Sequence, residues 1–367
     1  MARKVDSPPG GQDSSSASDF LLQLLGRARE QNVSDIHLRL TPETGQVSFR
    51  VDGILIPVES ISPELARSTI GRIKFLARLK TYQESFPQDG RISSGDSGIS
   101  TEVRVATYPA VSGEKVVLRL FTTKSQPDLQ GIGFDDQTRT DLEKAISQPS
   151  GMVLLTGPSG SGKTTTIYAS LKYIHKTHAK HIITIEDPVE QILPDIMQTE
   201  INEARELTFA AAARHLLRQD PEVLVVGEIR DEDTARIAVR AALTGHLLIA
   251  TLHAGSCSGV IERLAELCGD HQAALNSLNM VWNQRLVRKI CANCQGLKCD
   301  QCFQTGFNGR IPLVEYIRIS DEVRRQWKSS GSLEGESYSS LREKAGILVT
   351  AGFTSPDEIE RVLGPGF

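Results

Sequence analysis

Two hydrophobic patterns divide the chain near residue 137. Upstream, an apolar helical repeat that starts at Asp19 precedes short alternating segments and a second helical segment at 63–79. Downstream, apolar runs of strand length alternate with helical segments. We predict strands at 152–156, 181–186, 222–227 and 246–251, and helices near 137–147, 164–177, 208–219 and 232–242. Strands and helices that alternate in this way form a mainly parallel sheet covered by helices, so the pattern predicts a RecA-like α/β core.

The domain organisation follows from the same patterns. Four strand-like segments and the two upstream helices predict a small α+β domain over 19–124, with strands near 35–38, 47–51, 100–106 and 114–121. Residues 1–18 contain Ser, Pro and Gly but few apolar residues, so they predict a disordered tail. Residues 125–136 are predicted to be a linker to a second domain at 137–367.

An unbroken match to the phosphate-binding loop G-x-x-x-x-G-K-[ST] lies between a predicted strand and a predicted helix. Its glycines let successive backbone N–H groups turn toward phosphate oxygens, its lysine adds a point charge, and its threonine hydroxyl can ligate Mg²⁺. We expect the nucleotide to be bound by Gly157, Pro158, Ser159, Gly160, Ser161, Gly162, Lys163, Thr164 and Thr165. The motif in this context predicts binding of a nucleoside triphosphate.

Two acidic residues stand at the ends of later apolar strands. Glu228 follows the run from Val223, which is the Walker B pattern of a carboxylate near Mg²⁺. Glu186 ends the strand before Asp187-Pro188, where a base or water-positioning group for hydrolysis is expected. The structural alternative for both is an acid that solvates a strand end. Ligands of such sheets bind at the carboxyl ends of the strands, where both acids fall.

Histidines and arginines add further candidates. A histidine at the end of a strand can hydrogen-bond the γ-phosphate, which makes His253 a candidate and His246 a weaker one. Arginines that stabilise charge on a transferring phosphoryl group are another possibility, with surface ion pairs as the alternative. The arginines considered for this role are Arg104, Arg119, Arg230 and Arg236.

Four of the six cysteines form a C-x₂-C-x₄-C-x₂-C pattern, namely Cys291, Cys294, Cys299 and Cys302. Two such pairs fit tetrahedral thiolate coordination of Zn²⁺. The central spacing is short for a zinc ribbon, which leaves strain or an empty site open. A redox pair or four incidental thiols is the alternative.

Composition places few further limits on function. The chain of 367 residues has a net charge of −4, no apolar stretch long enough to cross a membrane and no signal-peptide pattern, so we expect it in the cytoplasm. A basic cluster at Arg285, Arg288 and Lys289 could line a pore for nucleic acid or cap a helix near the cysteines. It lacks interleaved aromatic residues, so no nucleic acid partner is expected. Ser355 and Pro356 predict the start of a helix.

Together these blocks resemble the secretion ATPase superfamily of type II secretion and type IV pilus systems. The resemblance covers about 31–363. It includes Val33-Ser-Asp-Ile-His-Leu, Phe86-Pro-Gln-Asp-Gly-Arg, the phosphate loop, Ile185-Glu-Asp-Pro-Val-Glu190, Gly227-Glu-Ile-Arg-Asp231, Thr251-Leu-His-Ala254 and the segment Cys299 to Arg310. It implies an α/β fold with a RecA-like P-loop NTPase core preceded by a PAS-like α+β domain.

The resemblance also implies roles and partners. Lys163 and Thr164 would bind phosphate and Mg²⁺, Glu186 would be the catalytic base, and Glu228 the Walker B acid. His253 would lie near the γ-phosphate, and Arg104 and Arg119 of the first domain would reach the nucleotide. Such proteins are Mg²⁺-dependent ATPases that form hexameric rings and act on an inner-membrane platform protein to add pilin or pseudopilin subunits.

Two departures from the family pattern affect this interpretation. The cysteine pairs of the assembly-side members, which the retraction ATPases usually lack, are normally much further apart, so we expect the zinc element of this chain to be truncated. Most assembly members also carry an additional amino-terminal domain, whose mode of attachment we expect to be absent here. The alternatives are a pilus retraction ATPase and a nucleotide-binding scaffold with little turnover.

Overall fold

The computed structural model describes residues 16–99, 101–120, 127–330 and 340–366. Most of the predicted tail, 1–15, lies outside the described residues, and the first helix begins at Ala17, inside the range predicted for that tail. The chain divides into two units, Met1–Ser125 and Gln126–Phe367, and the division falls at the start of the predicted linker.

The first unit is a six-stranded antiparallel sheet with two helices. Its elements are α1 (Ala17–Glu30), β1 (Asp35–Leu40), β2 (Gly45–Val51), β3 (Ile54–Ile61), α2 (Pro63–Leu76), β4 (Gln88–Ile92), β5 (Val103–Ala110) and β6 (Gly113–Leu120). The strand order is β3-β2-β1-β6-β5-β4. Alternation places Ile36, Leu38, Val116 and Leu118 in the core, and α2 packs against β1, β2 and β4. The predicted α+β character is confirmed, although β3 and β4 were not predicted.

The second unit is a seven-stranded sheet with helices on both faces. Its elements up to β11 are α3 (Asp136–Ile146), β7 (Gly151–Thr156), α4 (Lys163–His178), β8 (Ile182–Glu186), β9 (Met197–Glu200), α5 (Phe209–Leu216), β10 (Val223–Val226), α6 (Glu232–Leu243) and β11 (Leu247–Thr251). The remaining elements are α7 (Cys257–Cys268), α8 (His271–Ser277), β12 (Leu278–Ile290), β13 (Phe307–Arg318), α9 (Asp321–Ser330), α10 (Leu341–Thr350) and α11 (Pro356–Leu363). The four strands and four helices predicted for this core are present within a few residues.

The strand order β13-β12-β7-β11-β10-β8-β9 places the predicted strands at the centre of the sheet. All neighbours are parallel except β12 and β13, which form an antiparallel hairpin. Each central strand is buried on both faces. In β7, Met152 and Leu154 join one hydrophobic core, and Val153 and Leu155 join the other. A strand buried on both faces is a continuous apolar run, which is why these strands were predictable.

The hairpin of β12 and β13 was not predicted, and it corrects one interpretation of the basic cluster. Arg285, Arg288 and Lys289 lie in β12, so they do not cap a helix. The Arg288 guanidinium instead donates two hydrogen bonds to Glu358, at 2.7 and 2.9 Å. Glu358 lies in α11, whose predicted start at Ser355 is confirmed by a hydrogen bond from the Glu358 N–H to the Ser355 hydroxyl.

Candidate functional site: the phosphate-loop edge

The candidate residues of the second unit follow the carboxyl ends of its parallel strands. The phosphate loop follows β7, Glu186 ends β8, Glu228 follows β10 and His253 follows β11. Since β11 lies between β7 and β10, His253 follows a strand that lies between the strand of the phosphate loop and the strand of Glu228. We call this group the phosphate-loop edge: residues 157–164, Glu186, Glu228 and His253.

The backbone of the phosphate loop has the form that an anion requires. Gly157, Gly160 and Gly162 have φ angles of 137°, 74° and 88°, which side chains rarely permit. Helix α4 starts directly after Gly162, and no described side chain caps it. The neighbouring helices α3 and α5 are capped by Asp135 and Thr208. The first N–H groups of α4 and its partial positive charge are therefore available to an anion.

Two side chains of the loop also fit a phosphate ligand. The Lys163 ammonium donates to the loop's own carbonyl oxygens, at 2.8 Å to Gly157 and 3.0 Å to Pro158. Burial lowers the pKa of Lys163, while Glu228 and Glu190 act in the opposite direction. Within the described residues, the buried Ser161 hydroxyl has no hydrogen-bond partner. A triphosphate would give Lys163 a negatively charged partner and the Ser161 hydroxyl an oxygen acceptor.

Glu228 is held between two basic side chains. One carboxylate oxygen accepts a hydrogen bond from Arg230 Nε at 2.6 Å, and the other lies 3.0 Å from His253 Nε2. Arg230 also reaches Asp187 at 3.2 Å, and its hydrogen bond to Glu228 raises the pKa of the guanidinium. The structure thus brings Glu228 and His253 together. Arg230 is placed as the partner of these acids, and Arg236 pairs with Glu232 on the exposed face of α6.

Glu186 lies in a different environment from Glu228. Its buried carboxylate accepts hydrogen bonds from Tyr168 Oη, from Thr184 Oγ1 at 2.6 Å and from Gln198 Nε2 at 3.0 Å. Burial and the hydrogen bond to Glu186 raise the pKa of Tyr168. The three neutral donors belong to α4, β8 and β9. They hold the Glu186 carboxylate against neighbouring protein groups.

A second carboxylate of the same segment was not assigned from the sequence. Glu190 is exposed, and its charge raises the pKa of Lys163, as does that of Glu228. The signal was present, because Glu190 ends the block Glu-Asp-Pro-Val-Glu. The weaker candidate, His246, precedes β11 and contacts Ala241 O, so it lies at the opposite edge of the sheet.

The arginines of the first unit lie side by side on its sheet. The register pairs Arg91 with Arg104 and Arg104 with Arg119, across β4, β5 and β6. The three line an open groove, and Arg119 Nε donates to Asp35 at 2.9 Å. This row has the positive charge that an anion requires. The contact of Arg104 and Arg119 with nucleotide stays a prediction.

The tetracysteine element connects β12 to β13, and its four sulfur atoms lie within 4.8 Å of one another. Three of the sulfur–sulfur distances are 3.7 Å (Cys299 and Cys302), 3.8 Å (Cys294 and Cys302) and 4.0 Å (Cys291 and Cys299). Sulfur atoms at the corners of a tetrahedral zinc site are about 3.8 Å apart. The short central spacing is therefore compatible with convergence of all four thiols.

Backbone geometry at the cysteines also fits a thiolate site. The N–H groups of Cys299 and Gly306 donate to Cys302 Sγ at 3.3 and 3.2 Å. Burial opposes the thiolate, but these donors outweigh it, and the pKa of Cys302 falls to about 6. Gly306 lies so close to Gly296 that a Cβ on Gly306 would lie 2.7 Å from the Gly296 carbonyl oxygen. The residues present therefore fit a tetrahedral metal ion.

The phosphate-loop edge and the order of its blocks agree with a known family. A model of the family "Type II/IV secretion system protein" matches residues 11–361, which is nearly the whole chain. The chain belongs to this family. The type II secretion system protein E of Pseudomonas aeruginosa is 36% identical over 99% of this chain and 80% of its own length. The type IV pilus assembly ATPase PilB of Thermus thermophilus is 37% identical over 91% of this chain and 40% of its own length.

Solved structures agree with this assignment at the level of the fold. The ATPase DotB of Legionella pneumophila superposes with a TM-score of 0.75 over 96% of this chain and 97% of its own, at 21% identity. The pilus retraction motor PilT with bound ADP has a TM-score of 0.67 over 93% of this chain and 96% of its own, at 25% identity. These neighbours confirm the predicted RecA-like α/β fold class. Among the described residues, no helix is both long and apolar enough to span a bilayer.

Proposed function

We propose that this secretion-family protein is a Mg²⁺-dependent ATPase that powers pilus or pseudopilus assembly, as in type II secretion. One observation carries the proposal. A complete phosphate loop, with three glycines in the left-handed region and an uncapped helix behind it, lies at the same sheet edge as Glu228 and His253. Such an edge is suited to phosphoryl transfer, where catalysis is mainly positioning and stabilisation of charge.

The residues of the edge divide the work of ATP hydrolysis. Lys163 would leave the carbonyl groups of Gly157 and Pro158 and bind the terminal phosphates. Thr164 and Glu228 would hold Mg²⁺, which supplies neutralisation of phosphoryl charge when bound. His253, next to Glu228, would hydrogen-bond the γ-phosphate. Arg104 and Arg119 would add positive charge from the first unit.

The base that activates water has two candidates. The family resemblance favours Glu186, but that carboxylate is buried among three neutral donors. Glu190 is exposed and close enough to Lys163 to raise its pKa. The pair Glu186→Gln and Glu190→Gln separates the two roles. The variant of the base keeps affinity for ATP and loses turnover, and normal phosphate release from one variant removes that residue from the role.

The similarity to relatives supports assembly as the direction of work. The relatives named type II secretion system protein E and PilB are 36% and 37% identical over 99% and 91% of this chain. PilT nevertheless shares the fold over 93% of this chain, which keeps retraction as a second candidate function. In both cases the working unit would be a homohexamer at the cytoplasmic face of the inner membrane, attached through a platform protein.

Zinc would complete the tetracysteine element. The four thiols fit the ion, and bound zinc would cross-link the two ends of the hairpin segment between β12 and β13. Metal analysis of the purified protein should give one zinc per chain, and Cys302→Ser should lose it. A wild-type chain without zinc would contradict this part of the proposal.

The ATPase proposal is tested by nucleotide binding and turnover in the purified protein. We expect Mg²⁺-dependent phosphate release by the wild type, and binding without release by Glu228→Gln. A protein that binds ATP but releases no phosphate as an assembled ring would instead be the nucleotide-binding scaffold.

A further inference from the structure

One polar side chain outside every motif is buried directly beneath the phosphate loop. Gln284 lies in β12, between Asn283 and Arg285, and is 1% exposed. Burying an amide is costly unless both its donor and its acceptor are satisfied. A glutamine buried in the interior of a strand therefore requires a structural or functional reason.

Both ends of the Gln284 amide have partners. Its Nε2 donates to the Ser161 carbonyl oxygen at 2.8 Å. Its Oε1 accepts from Thr166 Oγ1 at 2.9 Å and from the Trp282 indole N–H at 2.8 Å. The single side chain thus connects the phosphate loop to the first turn of α4. The indole contact fixes the orientation of the amide, because only oxygen can accept it.

Two glycines of the loop lie directly on Gln284. A Cβ on Gly157 would lie 2.3 Å from the Gln284 carbonyl oxygen, and a Cβ on Gly162 would lie 2.8 Å from its Nε2. The first and last glycines of the motif are thus needed for contact with this residue as well as for their positive φ angles. Both ends of the phosphate loop therefore pack against β12.

The bond to Ser161 has a direct consequence for anion binding. In a trans peptide, the carbonyl of one residue and the N–H of the next point in opposite directions. The Ser161 carbonyl points at Gln284, so the N–H of Gly162 points away from it. Rotation of this peptide would cost the buried hydrogen bond. Gln284 therefore holds the peptide in the orientation that offers the Gly162 N–H to a ligand.

We propose that Gln284 is a positioning residue for the nucleotide, which presets the phosphate loop by fixing the Ser161–Gly162 peptide. The inference rests on the proposed function, because it concerns the triphosphate bound by this loop. Gln284 touches no reacting atom in this account and acts through the loop. It also connects nucleotide binding to the hairpin that carries the tetracysteine element.

Two substitutions of Gln284 test the inference. Gln284→Glu keeps the acceptor for Thr166 and Trp282, but it replaces the donor with an oxygen that faces the Ser161 carbonyl. Gln284→Met removes the polar group without adding charge. We expect affinity for a non-hydrolysable ATP analogue with Mg²⁺ to fall about 10- to 100-fold in both variants, the range seen when an outer supporting contact is lost. Gln148→Glu is the matched control, because Gln148 is exposed and its substitution by glutamate adds the same negative charge.

The readout must separate positioning from folding. Calorimetric titration of the folded protein gives the Kd, and thermal unfolding without nucleotide gives the stability. A merely structural role would lower the unfolding temperature and leave the Kd unchanged. Weaker binding in both variants, with normal binding by Gln148→Glu, supports the inference. If the wild type binds the analogue and both Gln284 variants bind it with the same affinity, the inference is overturned. If the wild type does not bind the analogue, the proposed function itself is contradicted.

A second measurement applies if both variants fail to fold. The chain has two tryptophans, so Trp327→Phe leaves Trp282 as the reporter on the Gln284 amide. Addition of the analogue should shift the emission of Trp282, because the phosphate charge bound at the preset loop changes the electrostatic field at the indole that shares this amide. An unchanged emission at saturating analogue would overturn the inference.

Discussion

Two charged regions of the second unit differ in how completely their polar groups are satisfied. At the phosphate-loop edge, Lys163 binds the loop's own carbonyl groups, α4 has no side-chain cap and the Ser161 hydroxyl has no partner among the described residues. The second region is the Glu358 cluster, defined as Glu358, Arg288 and Arg361. It lies where α11 packs against β12.

The Glu358 cluster is satisfied within the protein. The buried Glu358 carboxylate accepts from Arg361 Nε and Nη2 at 2.7 and 2.6 Å and from Arg288 Nε and Nη2 at 2.9 and 2.7 Å. The Arg288 backbone N–H also donates to it at 2.9 Å. Burial opposes ionisation, but the arginines outweigh it and lower the pKa of Glu358 to about 2.

The comparison separates groups that serve folding from groups that serve a ligand. A charged cluster whose bonds are complete stabilises the fold, since removal of one member leaves a buried charge unpaired. Polar groups that lack a bonding partner until a ligand binds contribute to ligand affinity instead. By this criterion, substitution of Lys163 should lower nucleotide affinity with little change in stability, and substitution of Glu358 should do the reverse.

The largest effect is expected at Lys163. Lys163→Ala should weaken binding of the ATP analogue by at least about 1,000-fold, or about 4 kcal/mol, because the loop loses its point charge. The unfolding temperature without nucleotide should change little. Lys176→Ala, on the exposed side of the same helix, is the control. Retained affinity in Lys163→Ala would remove the distinction between the regions.

The reverse result is expected for Glu358→Gln. Loss of the buried carboxylate leaves Arg288 and Arg361 without their partner, so the free energy of unfolding should fall by about 3 kcal/mol. Nucleotide affinity of the folded protein should stay within about twofold. Chemical denaturation and titration measure the two quantities. Glu232→Gln, in an exposed ion pair with Arg236, should cost about 0.5 kcal/mol or less.

Acid should remove the stabilisation that the Glu358 cluster provides. The pKa of Glu358 is lowered to about 2 in the folded protein, against 4.5 for the ordinary carboxyl. Its stabilisation is therefore complete above pH 4.5 and is lost as the pH falls from 4.5 toward 2. Over that window the wild type should lose roughly 2–3 kcal/mol more than Glu358→Gln. If the stability of the two proteins falls by the same amount over this pH range, Glu358 has no such role.

The smallest effect is expected at Tyr168. Its hydroxyl donates to Glu186, which has two further donors, so Tyr168→Phe should cost about 1 kcal/mol of stability. Unchanged turnover would group Glu186 with the satisfied residues, and Glu190 would become the stronger candidate for the base. A large loss of turnover with ATP still bound would keep Glu186 as the candidate base.

The sequence predicted the parts of this site that depend on local pattern. Lys163, Thr164, Glu228 and His253 follow apolar strands, and parallel strands bring their carboxyl ends to one edge. The orientation of Glu186 was not predictable, because it depends on Gln198 in β9, a short edge strand without a hydrophobic pattern.

The support of the phosphate loop was also missed. It depends on Gln284, which is distant from the loop in the sequence and belongs to no motif. The available signal was the polar triplet Asn283, Gln284 and Arg285, which follows the apolar run Met280 to Trp282. A polar residue in a buried strand shows that a partner exists, but the identity of the partner requires the fold.

Steady-state phosphate release by the purified chain at saturating Mg²⁺ and ATP tests the central claim most directly, with Glu228→Gln measured beside it. The account predicts continuous release by the wild type and a rate at least about 100-fold lower in Glu228→Gln, with ATP still bound. Equal rates in the two proteins, or no release by a wild type that binds ATP, would contradict it.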